Sequence, residues 1–188
     1  GSTVTIAQGT YQDDSFATLA TPTSSREIIF SKGLTIVGLG DGDPKNGQEV
    51  IINSSTSRTF VVAGDLASGN VSISGVKVVG GTEGVTVAGS GQDTDLNSLS
   101  VTNSTFVGQS NAGLVIGLNN PASNLSNLRV EGVKFDQSAS AGQEAGTVAN
   151  NFINTFEGIM AFGFDGTALI KDVTVLGAAG GVTAKSSK

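Results

Sequence analysis

The chain has 188 residues, with 10 Lys and Arg against 16 Asp and Glu, and its formal charge of −6 argues against nucleic acid or an anionic membrane as a partner. It contains no Cys and no His, which removes disulfides, thiol catalysis, imidazole bases and the usual zinc ligands. No apolar run is long enough to cross a bilayer, so no membrane insertion is expected, and the length suits one domain, 1–188, with a continuous core.

Gly1 and Ser2 look like a cloning remnant, and the chain then enters a strand at VTIAQGTYQ (residues 4–12). An immediate start in a strand, with no leader before it, is what a domain cut from a longer protein would show. Asp13 to Ser25 breaks the alternation and reads as a loop, or as a short helical turn capped by Asp14 or Ser15. REIIFSKGLTIVGLG (26–40) resumes two strands. Asp41, Asp43, Asn46 and Glu49 then offer several oxygens within one turn, the donor type that calcium requires. Lys45 interrupts any EF-hand spacing, so a solvated turn is the simpler reading. Asp93 and Asp95 pose the same choice, and calcium is the one cofactor the chain leaves open.

From Leu34 onward one line recurs. LTIVGLG (34–40), VSISGVKVVG (71–80), LSVTNSTFVG (99–108), LRVEGVKFD (128–136) and ALIKDVTVLG (168–177) share an apolar alternation, then Gly, Asn or Asp at one fixed place, then a second short alternation. In the second copy the apolar positions are Val71, Ile73, Val76 and Val78, so the alternation slips by one residue at Gly75. Since successive strand residues face opposite sides, the slip marks a bend. A second line follows the later copies: GVTVAG (84–89), GLVIG (113–117), GIMAFG (158–163) and GVTA (181–184). A period of roughly 28 residues with two or three short strands is the pattern of a coil that stacks on itself, an all-β parallel β-helix of about five to six coils.

VTIAQGTY, SKGLTIVGLGDG, EVIINSS, RTFVVAG and NVSISGVKVVGG together resemble the opening coils of right-handed parallel β-helix proteins of the pectin-lyase-like superfamily, with Tyr11, Gly38, Gly40, Gly75 and Gly80 closing the motifs. The resemblance implies the handedness, as does the general rule for parallel crossovers. It implies no single activity, because the superfamily holds polysaccharide lyases, hydrolases, epimerases, phage tailspikes, adhesins and structural modules.

Stacked coils would put Ile73, Val101, Val130 and Ile170 in one internal column. Outside, Lys77, Thr105, Lys134 and Thr174 should align on one sheet, and Ser74, Thr102, Glu131 and Lys171 on another, at ~4.8 Å per coil. The coil LRVEGVKFD holds most of the side chains that could act on a substrate, with Arg129, Glu131, Lys134 and Asp136 all outward. A uronate lyase needs a cation and a base, which Arg129 or Lys134 with Asp136 could supply; a hydrolase needs paired carboxylates, here Asp136 with Asp172 or Glu131 with Glu157. These pairings match no family motif. The loop insertion after Asp136, running to Thr155, should wall a groove over Arg129, Lys134, Glu157 and Asn150 or Asn151, with Lys77 two coils away. With no Trp and one Tyr, glycan binding there would rest on hydrogen bonds. The outward set Thr35, Ser72, Ser100 and Arg129 is interrupted by charge, which speaks against an ice-binding array. The chain stops after GVTAKSSK without a visible cap, and open coil edges invite end-to-end self-association. The expectation is a non-catalytic extracellular or cell-surface β-helix module, a spacer that adheres weakly to polysaccharide or surface glycan. The alternative is a polysaccharide-active enzyme fragment.

Overall fold

The structure is a computed structural model that describes residues 2–12, 28–30, 32–40, 49–54, 58–62, 65–87, 94–117, 124–136, 157–164, 166–177 and 180–185. The described residues form strands and no helix. In chain order the strands fall into triplets. The first is β1 (Ser2–Ile6), β2 (Gly9–Gln12) and β3 (Ile28–Phe30), and the second is β4 (Leu34–Gly38), β5 (Val50–Ser54) and β6 (Phe60–Val62). The third is β7 (Asp65–Ser74), β8 (Lys77–Gly80) and β9 (Glu83–Val87), and the fourth is β10 (Asp95–Thr102), β11 (Thr105–Val107) and β12 (Ala112–Gly117). The fifth is β13 (Asn124–Glu131), β14 (Lys134–Asp136) and β15 (Glu157–Phe162), and the sixth is β16 (Thr167–Lys171), β17 (Thr174–Leu176) and β18 (Gly180–Lys185). Every triplet gives one strand to each of three six-stranded sheets, in the orders β1-β4-β7-β10-β13-β16, β2-β5-β8-β11-β14-β17 and β3-β6-β9-β12-β15-β18. Neighbouring strands pair in parallel, and this connectivity is compatible with a parallel β-helix.

Alternation explains the core, because parallel register turns each inward position into a column. In the first sheet Val4, Ile36, Ile73, Val101, Val130 and Ile170 are successive partners. In the second the column is Tyr11, Ile52, Val78, Phe106, Phe135 and Val175, and in the third it is Ile28, Phe60, Val85, Leu114, Ile159 and Val182. The middle members of all three join one apolar cluster. The outward columns fall where the alternation puts them: Thr35, Ser72, Ser100 and Arg129 pair in order, and so do Ser74, Thr102, Glu131 and Lys171.

The bend between the first and second sheets is made, in the third to sixth triplets, by one left-handed residue each. Gly75, Asn103, Gly132 and Asp172 have φ of 68°, 46°, 64° and 52°, and Asn and Asp are the residues after Gly that tolerate this region best. Their amides form a ladder: Gly75 N–H donates to Asn103 O at 3.1 Å, Asn103 N–H to Glu131 O at 3.0 Å, and Gly132 N–H to Lys171 O at 3.1 Å. LTIVGLG departs from this scheme. Gly38 remains inside β4, where a Cβ would stand 2.1 Å from Gly75 O, and Leu39 to Glu49 separate it from β5.

The glycines that open GVTVAG, GLVIG and GIMAFG have a packing cause. A Cβ on Gly84 would lie 2.3 Å from Phe106 Cδ1, one on Gly113 would lie 1.9 Å from Phe135 Cδ1, and one on Gly158 would lie 2.8 Å from Val175 Cγ2. Each third-sheet glycine thus receives the inward second-sheet side chain of the following triplet. Phe106 and Phe135 stack with centroids 5.5 Å apart at 21°, a pair worth ~0.5–1.5 kcal/mol beyond its burial. Gln109 ties the third and fourth triplets at the next bend: fully buried, it donates from Nε2 to Gly80 O at 3.0 Å and to Val78 O at 3.3 Å.

Gly113→Ala should therefore destabilise the chain by about 1–3 kcal/mol through overpacking against Phe135. Gly181→Ala, where a Cβ meets nothing within 4 Å among the described residues, should stay within ~0.5 kcal/mol of the parent. Urea midpoints at low protein concentration compare the two.

Candidate functional site

The bend divides the outward charges of the fifth triplet between two sheets. Arg129 and Glu131 stand on β13, before Gly132, while Lys134 and Asp136 stand on β14, after it. Residues two apart on a strand share a face, so each half brings opposite charges together. Arg129 Nε donates to Glu131 Oε2 at 3.0 Å, and Nη2 of the same guanidinium also donates to Oε2. Lys171, the partner of Glu131 in the next strand, donates from Nζ to Oε1 at 3.1 Å and lies 3.6 Å from Asp172 Oδ2. The Arg129 guanidinium first, and the Lys171 ammonium second, hold the Glu131 carboxyl below the usual range, while Glu131 pushes Lys171 up.

Beyond the bend, Lys134 Nζ lies 2.6 Å from Asp136 Oδ2. Asp136 differs from expectation, because it shares a face with Lys134 yet is only 7 % exposed. Alternation fixes the side of a sheet but not what covers it. Lys77, Thr105, Lys134 and Thr174 do form one outward column, with Thr105 between the two lysines. Lys77 Nζ pairs with Glu49 Oε2 at 3.4 Å, so the described member of the candidate calcium set faces a cation-bearing side chain.

Two recesses flank the ridge of left-handed residues. One of about 270 Å³ is lined by Glu49, Lys77, Asn103, Ser104, Thr105 and Gly132 among others. The other, of about 480 Å³, is lined by Ser72, Ser100, Thr102, Arg129, Glu131 and Asp172 among others. The candidates are thus brought together in three groups, Glu49–Lys77, Arg129–Glu131–Lys171 and Lys134–Asp136, instead of one centre. Among the described residues no three of His, Cys, Asp and Glu are gathered as a metal would need. Asp41, Asp43, Asn46, Asn150, Asn151 and Asp93 lie outside the described residues, as does the side chain of Glu157.

A polar ladder on the first sheet was not foreseen. Asn70 Oδ1 accepts from Asn97 Nδ2 at 2.8 Å and from Ser98 Oγ at 2.7 Å, and Asn127 Nδ2 donates to Asn97 O at 3.2 Å. Its signal in the sequence was the recurrence of Asn one residue before Val71, two before Leu99 and one before Leu128. Chemically, these surfaces present hydroxyls, amides and charges already engaged in ion pairs. They suit hydrogen bonding to a polar ligand better than proton transfer.

No family model, curated protein or solved structure matches this chain.

The pairing of Glu131 sets a pH dependence. Its lowered pKa contributes stability that is present at neutral pH and is lost as pH falls through the folded value, whereas the contribution of Lys171 is lost only as pH rises through its raised value. Carboxyl NMR should place the Glu131 midpoint below that of an unpaired glutamate, and Arg129→Gln should move it back up. A midpoint unmoved by that substitution would show that the guanidinium does not hold it.

Proposed function

We propose that the chain is a right-handed parallel β-helix of the pectin-lyase-like kind. In this reading each strand triplet is one coil, and the molecule serves outside the cell or at its surface as a stiff spacer that adheres weakly to polysaccharide. The observation that carries the non-catalytic reading is the mutual engagement of the charged candidates. Arg129 and Lys171 both lie on Glu131, Lys134 lies on Asp136, and Lys77 lies on Glu49. A lyase base must be free to take a proton beside an unoccupied cation, and a glycosidase needs two carboxylates facing one bond. Carboxylates and cations already paired with their neighbours supply neither. Stiffness follows from three sheets sharing one apolar core, and adhesion from the hydroxyl and amide rows on the outer faces. With Tyr11 the only Tyr, and no Trp in the chain, sugar recognition rests on hydrogen bonds and is weak per site.

A panel of acidic and neutral polysaccharides separates this reading from the enzymatic one. The spacer reading predicts weak retention on some glycans that added salt does not abolish, no unsaturated uronate in the ultraviolet and no new reducing ends. Turnover that is abolished by Lys134→Ala or Asp136→Ala would overturn it.

A further inference from the structure

The outer face of the first sheet is built of parallel polar rows. By alternation and register, Asn70, Ser98, Asn127 and Thr167 form one row, Ser72, Ser100, Arg129 and Leu169 the next, and Ser74, Thr102, Glu131 and Lys171 the one nearest the bend. Arg129 divides this surface into a pair of recesses. On the bend side lies the recess of about 480 Å³ that Ser72, Ser100, Thr102, Glu131 and Asp172 line with Arg129. On the other side a recess of about 330 Å³ is lined by Ser98, Ser100, Asn127, Arg129, Thr167 and Leu169 among others. Both share Ser100 and Arg129, and both fall in the range of ~300–1,000 Å³ that small-molecule sites occupy.

The polar groups here are held in place but not used up. Arg129 gives Nε–H and an N–H of Nη2 to Glu131, which fixes the guanidinium; its side chain is 56 % exposed, and among the described residues nothing accepts from Nη1. Ser74 turns its hydroxyl onto Ile36 O at 3.4 Å, whereas among the described residues the hydroxyls of Ser72, Ser100 and Thr102 have no partner. Charge balances locally, because Arg129 and Lys171 offset Glu131 and Asp172. A free anion entering this surface would meet both carboxylates on a chain of net charge −6, and a metal ion would meet a guanidinium and an ammonium. The surface instead complements a neutral molecule that offers hydroxyl donors and acceptors side by side. Hydrogen bonds to ionised groups are about twice as strong as neutral ones, so the fixed ion pair favours such a molecule without any charge on it. Leu169 adds an apolar patch against which ring C–H groups can lie.

We propose that the outer face of the first sheet around Arg129 binds an uncharged polysaccharide, with one sugar in each recess and the linkage between them crossing the guanidinium. The Nη1 edge donates to oxygens at the linkage. In the recess beside the bend, Ser72, Ser100 and Thr102 exchange hydrogen bonds with ring hydroxyls, and Glu131 and Asp172 accept from them. In the other, Ser98 Oγ and Asn127 Oδ1 accept, and the ring face lies over Leu169. The rows that carry the contact, Ser72–Ser100–Arg129 and Ser74–Thr102–Glu131, run across the flat of the sheet in the third to fifth triplets. The inference rests on the adhesive reading given above, and adds to it the place of contact and the class of glycan.

Affinity electrophoresis through gels that contain a mixed-linkage β-glucan, a galactomannan or dextran tests this, with polygalacturonate and alginate as the acidic counterparts. Amide NMR titration with a short oligosaccharide of the retained glycan then locates the contact. The expected result is retardation in a neutral gel that added salt leaves in place, with shifts at Ser100, Thr102 and the Arg129 Nε–H and none on the second and third sheets. Arg129→Gln should weaken binding roughly tenfold, and Ser100→Val, a β-branched residue on a strand, roughly threefold with parent-like circular dichroism. Retention undiminished in both variants, or shifts that map to the face of Lys77 and Lys134, would overturn this site and leave the adhesive reading standing. Retention on the acidic glycans alone would overturn the class of ligand. A chain retained by no glycan at all would overturn the adhesive reading, and this site with it.

Discussion

Parallel register is the constraint from which the rest of the architecture follows. Once β4, β7, β10 and β13 lie side by side without offset at their cores, Ile36, Ile73, Val101 and Val130 become neighbours although the chain between each pair is tens of residues long. A shift of one residue in any strand would turn its apolar set outward. The bend residues enforce the register, because a left-handed position at Gly75, Asn103, Gly132 and Asp172 resets the alternation at the same place in the last four triplets. The glycine slots enforce it again from inside, since Phe106 and Phe135 fit only where Gly84 and Gly113 leave room.

This explains why so much was legible in the sequence. VSISGVKVVG, LSVTNSTFVG, LRVEGVKFD and ALIKDVTVLG announce the bend through Gly, Asn, Gly and Asp at one position, and each is found at positive φ there. The neighbour relation of Glu131 and Lys171, forty residues apart, follows from alignment of those lines alone and is a 3.1 Å hydrogen bond. LTIVGLG misled in part, because its closing glycines suggest the same bend, whereas Gly38 stays in a strand against Gly75.

Other features were hidden for physical reasons. Periodicity reports which face a side chain takes and nothing about what lies over that face, so Asp136 read as solvated when it is buried. The Glu49–Lys77 pair could not be foreseen, since the residues between β4 and β5 break the repeat and the register of Glu49 is lost with it. The role of Gly113 needs the position of Phe135 in the following triplet, a contact between different sheets that no single strand pattern encodes. Gln109 gives no sign of its burial, because a lone amide between Gly108 and Ser110 looks like any surface turn.

The same geometry shapes the functional reading. A surface generated by a repeat sets similar side chains at regular intervals and pairs charges between neighbours, and the proposed role as a weakly adhesive spacer draws on that regularity. Methyl-resolved NOE spectroscopy on Ile- and Val-labelled chain tests the underlying stacking most directly. Cross-peaks linking Ile73 to Val101 and Val101 to Val130 are predicted, with Ile52 to Val78 and Val85 to Leu114 where Leu is also labelled. Their absence, in a chain whose amides show folded dispersion, would contradict the account at its foundation.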